Sequence, residues 1–147
     1  DTSISWHLME YPPHQGVYNF IKDLNHVYRA NHALYDKNYE ADGFEWIDYG
    51  DAEKSILAYI RKGNDPEDQL VTVCNFTPMA HHDYRIGVPF EGIWEEVINS
   101  DDEEFGGSGY QNDLPITSEK INSHGRENSV SLRVPPLGVT ILKRSSK

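Results

Sequence analysis

After Gly43 the chain stops repeating on a helical period and breaks into short runs of strand type with no helical segment between them, and this governs what it can fold into. The runs fall at 44–49, 55–62, 69–77, 83–89, 93–100, 129–135 and 139–144. A parallel pair needs a crossover of a dozen or more residues, usually a helix, so closely spaced runs of this kind favour antiparallel pairing. Turn chemistry sits between them, in Asp48-Tyr49-Gly50-Asp51 and in Lys62-Gly63-Asn64-Asp65-Pro66. The expected fold is mainly β, an antiparallel β-sandwich.

Val130, Leu132 and Val134 alternate with Ser129, Ser131 and Arg133, which predicts one apolar face turned inward. The run at 69–77 differs, because Leu70, Val71, Val73, Cys74 and Phe76 place apolar groups on both faces. That pattern predicts a central strand covered on both sides. Upstream, Val17, Phe20, Ile21, Leu24, Val27 and Tyr28 form a helical stripe. Pro12 and Pro13 suit the first turn of that helix, and Asn31 and His32 loosen its far end. From residue 99 to 128 the periodicity is lost, and an irregular loop is expected.

With 24 acidic residues against 13 Lys and Arg, the formal charge is -11 and no basic stripe is present. Nucleic acid is therefore not an expected partner. No apolar run reaches membrane or signal length, so no membrane partner is expected either. Cys74 is the single cysteine, which rules out an internal disulfide and a cysteine-based zinc site and favours a reducing cytoplasm.

Candidate chemistry is sparse. Asp101, Asp102, Glu103 and Glu104 read as a solvated loop, since adjacent acids lack the environment that separates the pKa values of a catalytic pair. His81-His82-Asp83 contains metal-ligand types, but neighbouring strand residues point to opposite faces, so a strand entry is expected and no metal site. Ser123-His124-Gly125-Arg126 reads as a turn without a triad. Gly106-Gly107-Ser108-Gly109 lacks the lysine and the strand-to-helix setting of a phosphate loop. Aromatic residues remain, because sugar rings stack on them. Phe44 and Trp46 share a strand face and Trp94 lies on another strand. Both tryptophans are expected in the core, and Tyr110, in the irregular loop, is a candidate exposed platform.

The order of several phrases carries a resemblance: Leu24 to Tyr35 (LNHVYRANHALY), Gly43 to Asp48 (GFEWID), Asn75 to Gly109 (NFTPMAHHDYRIGVPFEGIWEEVINSDDEEFGGSG), and Ser118 to Lys143. Together they resemble the C-terminal β domain of bacterial glycogen branching enzymes, of the α-amylase superfamily. The resemblance implies that residues 1–36 are the end of a catalytic (β/α)8 barrel, with its last helix, and that 37–147 form the C-terminal sandwich. A complete barrel needs about 250 residues. The chain, opening on Asp1, is thus expected to be the tail of a larger enzyme, without catalytic residues of its own. The intact enzyme would cleave α-1,4-glucan and transfer the cut segment to make α-1,6 branches. The resemblance implies no cofactor and an α-glucan partner, with this part covering the barrel. Ser3-Ile4-Ser5-Trp6, with Asp1 and Thr2 before it, resembles the loop entering the last barrel helix, which makes Trp6 a candidate glucan contact beside Tyr110. Without its barrel the helix is expected to fold back on the sandwich or to pair with a second copy. An autonomous carbohydrate-binding module, or the matching domain of a debranching or trehalose-forming relative, are the alternatives.

Overall fold

The computed structural model describes residues 3–112 and 115–145. A 3-10 turn at Trp6–Glu10 leads into helix α1, Pro12–Ala30, whose prolines occupy the first positions, where an N–H would have no intrahelical acceptor. Further 3-10 turns at His32–Leu34 and Ala41–Gly43 connect it to the strands. These are β1 (Phe44–Asp48), β2 (Ile56–Lys62), β3 (Gln69–Asn75), β4 (His81–Val88), β5 (Ile93–Asn99), β6 (Ile116–Thr117), β7 (Asn128–Val134) and β8 (Val139–Arg144).

The strands form a six-stranded sheet ordered β1-β2-β3-β8-β5-β6 and a two-stranded sheet of β4 and β7. Every pairing is antiparallel, as the strand spacing predicts. The two sheets enclose one core, in which Ile56, Ala58, Ile60, Val71, Val73, Trp94 and Leu142 of the large sheet meet Tyr84, Ile86, Val88, Val130, Leu132 and Val134 of the small one. Each such aliphatic side chain contributes roughly 1.5 to 3 kcal/mol by leaving water. The inward row of β7 is the expected one.

A second core lies on the opposite face of the large sheet. There Phe20, Leu24 and Val27 of α1 pack on Leu70, Ile98 and Ile141, with Ala33 beneath the turn that follows the helix. Strand β3 is thereby covered on both faces, as its sequence predicts. The helix has folded back on the sandwich, but with only part of its stripe. Val17, Ile21 and Tyr28 face outward and remain exposed. The apolar sector is wider than one sheet contact can cover.

The stretch from 99 to 128 is more ordered than expected. It holds a 3-10 turn at Glu103–Phe105 and the short β6, and Glu119 pairs with Ser129 in an isolated bridge. Side chains do the ordering. Asp101 accepts hydrogen bonds from Ser108 N at 3.0 Å, Ser108 Oγ at 2.5 Å and Tyr110 N at 3.1 Å. Asp102 caps Glu104 N and accepts from Gln111. The acidic run thus staples its own glycine-rich loop, which periodicity cannot reveal.

Candidate functional site

Strand β1 is one edge of the large sheet, with β6 at the other, and lies beyond the β3, β8 and β5 residues on which α1 packs. Its alternation turns Ile47 into the core and Phe44 and Trp46 outward, where Tyr59 of β2, the residue paired with Trp46, lies on the same face. Trp46 is 45% exposed, which corrects the expectation that both tryptophans belong to the core. Trp94 does, with no accessible surface. Both sit in strand patterns. They differ because Trp94 is turned toward the small sheet, whereas the outer face of β1 lies beyond the helix that covers β3, β8 and β5.

Four aromatic rings meet at this edge. Phe44 and Tyr59 stack with centroids 5.2 Å apart and planes at 29°. Trp46 stands edge-on to both, at 4.9 Å from Phe44 and 6.1 Å from Tyr59. Tyr49, 73% exposed on the following turn, approaches Trp46 at 5.9 Å. Ring pairs of this geometry hold one another in place. Burial pushes the Tyr59 phenol up, against a hydrogen bond with Thr72, so its ring stays neutral. Arg61 borders the patch and donates to Asn38 Oδ1 at 2.6 Å and to the Leu34 carbonyl at 3.3 Å.

Beneath Tyr49 lies a pair of carboxylates. Asp48 Oδ2 and Asp51 Oδ2 each stand 3.1 Å from the Tyr84 hydroxyl. Their remaining oxygens are engaged locally, Asp48 Oδ1 by Gly50 N at 2.9 Å and Asp51 Oδ1 by Lys54 N at 3.2 Å. Lys54 also forms an ion pair with Asp51 at 3.4 Å and lies over the Tyr84 ring. Burial, and then the two adjacent carboxylates, push the Tyr84 phenol strongly upward. Every oxygen of the pair is engaged, the two Oδ1 atoms within the turn between β1 and β2 and the two Oδ2 atoms by Tyr84 of β4 in the small sheet. A retaining glycosyl-transfer pair must instead face a sugar across an open cleft. This pair ties a turn to the small sheet.

The candidate contacts read from sequence lie elsewhere. Trp6 is 69% exposed in the 3-10 turn before α1; of the phrase around it, Asp1 and Thr2 lie outside the described residues. Tyr110 is half-buried, its hydroxyl 2.6 Å from His82 Nδ1 and 3.3 Å from the His81 carbonyl. Neither joins the rings at the β1 edge. His81 and His82 open β4, two residues earlier than the sequence run predicts, and among the described residues no group of three or more His, Cys, Asp or Glu could hold a metal ion. No helix among them is long and apolar enough to cross a membrane.

An antiparallel sandwich with a docked helix and a surface aromatic patch defines an all-β domain. Comparison with known proteins gives the family. The model for the α-amylase C-terminal all-β domain matches residues 46–145, and the chain belongs to that family. It is 46% identical over 143 residues to the 1,4-alpha-glucan branching enzyme of Aquifex aeolicus, a match covering 97% of this chain and 23% of that protein. It is 42% identical over 140 residues to the enzyme of the same name from Oceanobacillus iheyensis, covering 95% and 22%. With that of Thermosynechococcus vestitus it is 45% identical over 142 residues, covering 97% and 18%. The chain thus spans about a fifth of the length of these curated relatives. Among solved structures, the crystal structure of an α-amylase from H. orenii superposes with a TM-score of 0.50 at 19% identity, over 86% of this chain and 20% of that one. That likeness concerns the fold alone.

Proposed function

We propose that this chain is the C-terminal part of a 1,4-α-glucan branching enzyme, and that it touches the glucan through the aromatic patch at the β1 edge. Identity above 40% to enzymes of that name along nearly the whole chain supports the first statement. The exposure of Trp46 among three further rings carries the second. Hexose rings present apolar C–H faces, and exposed aromatic rings held rigidly by their neighbours bind such faces with little loss of side-chain freedom.

In this reading residues 1–36 are the end of the catalytic barrel and 37–147 the sandwich. The exposed half of the α1 stripe, Val17, Ile21 and Tyr28, is the side that packs on the barrel. The intact enzyme cleaves α-1,4-glucan and transfers the segment to a 6-hydroxyl, using carboxylates outside this chain. Trp6 and Tyr110 are proposed as separate contacts on longer glucan chains. The compartment is the cytoplasm, in keeping with a lone, half-buried Cys74 whose thiol is pushed up by burial.

Calorimetric titration with maltoheptaose tests the glucan contact. Binding on the order of millimolar is expected for a single aromatic patch, with Trp46→Ala abolishing it and Trp46→Phe retaining part. Unchanged binding by Trp46→Ala would remove the patch from the proposal. An amylose branching assay with this chain alone should show no transfer.

A further inference from the structure

Ser123-His124-Gly125-Arg126, a turn phrase without catalytic geometry, has a position in the fold that the sandwich itself does not require. Ser123 and Arg126 exchange both backbone hydrogen bonds at 3.0 Å, and His124 and Gly125 between them have φ of 50° and 73°. This is a tight turn with two left-handed residues, a conformation that a histidine adopts at some cost. The turn lies flat on β4. A β-carbon on Gly87 would stand 2.3 Å from the Ser123 carbonyl oxygen, so only glycine leaves room for it. Gly87 N donates to His124 Nδ1 at 3.2 Å, which fixes the ring with Nδ1 as acceptor and leaves Nε2 as donor.

From that seat on the small sheet, two side chains cross to the β1 edge of the large one. His124 Nε2 lies 3.3 Å from Asp48 Oδ2, and Arg126 Nη2 donates to Glu45 Oε1 in a close ion pair. Glu45 also receives Lys62 through its other oxygen. The Lys62 hydrogen bond first, then the Arg126 charge, hold the Glu45 carboxyl below its usual range against the opposing effect of burial. Glu45 lies between Phe44 and Trp46 in sequence with its side chain on the opposite face, and Asp48 immediately precedes Tyr49. The register of β1 slips between Trp46 and Asp48, so this edge strand is irregular beside the residues that the turn grips.

We propose that the Ser123–Arg126 turn is a clip that positions the aromatic patch for glucan, with Arg126 and His124 acting through Glu45 and Asp48. This rests on the glucan reading above. The clip sets the roll of β1 about its own axis, and therefore the angle at which Phe44, Trp46 and Tyr49 face a sugar chain. Arg126 and His124 are positioning residues, and none of the patch rings is theirs.

The test uses the 147-residue chain with the substitutions Arg126→Gln, Glu45→Gln, the double variant, Arg126→Lys and Trp46→Ala. Two readouts are taken well below each melting temperature: maltoheptaose titration, and near-ultraviolet circular dichroism, in which the wild-type minus Trp46→Ala difference isolates the signal of Trp46 against its ring neighbours. Arg126→Gln should weaken maltoheptaose binding about fivefold or more and lose most of the Trp46 difference signal while its far-ultraviolet spectrum stays native. That fold-change corresponds to about 1 kcal/mol. The double variant should bind no more weakly than Glu45→Gln alone, because that change already removes the Arg126 link together with the Lys62 one, and Arg126→Lys should recover part of both signals. Retention of the Trp46 signal by Arg126→Gln would overturn the clip whatever happens to sugar binding. Loss of that signal with unchanged affinity would overturn its positioning role. Loss of the signal in Arg126→Gln, together with unchanged binding by Trp46→Ala, would overturn both the glucan reading and the positioning role that rests on it, and leave the clip as a purely structural link.

Discussion

The carbonyl oxygen of Phe105 lies 2.4 Å from the point where a β-carbon on Gly16 would sit, so helix α1 meets the acidic loop backbone to backbone. Phe105 also places its ring edge-on to Phe20 of the same helix, at 5.3 Å. The contact explains a glycine inside a helix, where it is otherwise unfavourable by about 1 kcal/mol relative to alanine.

Gly16→Ala therefore sets two effects against each other. The propensity gain is about 1 kcal/mol. Overpacking against a backbone carbonyl costs typically 1 to 3 kcal/mol, and this carbonyl belongs to a loop already held by Asp101 and Asp102. A net loss of stability is expected in a urea melt. A stabilised variant would show that helix and loop separate freely.

Glu96 is half-buried on β5, and burial pushes its carboxyl up despite the hydrogen bonds that favour its charge. One oxygen accepts from Asn112 N at 2.9 Å, the other from Asn112 Nδ2 at 3.2 Å and Asn99 Nδ2 at 3.1 Å. Glu96→Gln relieves the buried charge but turns an amide N–H₂ toward at least one donor. Leaving a buried polar group opposed costs about 1 to 3 kcal/mol. The variant should melt earlier at neutral pH, and equal stability would mean that the network rearranges around an amide.

Much of this architecture is legible in the chain because it rests on local repetition. The alternation around Leu132 marks the inward row of β7, and the apolar groups on both faces around Val71 mark a strand with two covers. The stripe of α1 is equally plain, but its division is not, since Phe20 and Ile21 look alike until the sheet chooses one. Trp46 and Trp94 also look alike. Their fates part on strand order, which places β1 at an edge and β5 inside, and no local pattern encodes order. The clip is less legible still, because Glu45 and Arg126 stand 81 residues apart. Their only signals are a glycine at position 87 and two charges in otherwise ordinary phrases.

Leu132 is buried against the large sheet and Arg133 points outward. Leu132→Ala should cost about 2 to 5 kcal/mol through lost burial and the cavity left behind. Arg133→Ala should cost distinctly less, as is usual for surface positions. Comparable shifts in denaturant midpoint for the two would mean that the faces of β7 carry equal load.

Glu45 gives the acid limb of the stability profile a recognisable part. Its carboxyl is held below the ordinary value of 4.5, chiefly by the Lys62 hydrogen bond. A depressed folded value means that this contribution is complete above the unfolded value and is lost as pH falls through the folded one. Melting temperatures followed downward from pH 5 should fall more steeply in the wild type than in Glu45→Gln. Parallel profiles would mean that Lys62 and Arg126 discriminate little between the two states of this carboxyl.

Val17 and Ile21 lie one helical turn apart on the outer side of α1, with Tyr28 two turns further along. Val17 is 63% exposed and Ile21 49% exposed, while the Tyr28 ring meets the Tyr35 ring at 5.4 Å. An apolar strip of this kind gains by being covered. In the chain alone a second copy can cover it, by laying the same strip antiparallel along the first in a two-fold arrangement. Sedimentation velocity across a concentration series should show reversible dimerisation in the wild type. Ile21→Asp should sediment as a monomer throughout. Its melt should shift by no more than about 0.5 kcal/mol, since the change lies on the surface away from the packed face. A wild-type chain that sediments identically at all concentrations would mean that this strip is too narrow to hold a partner of its own kind.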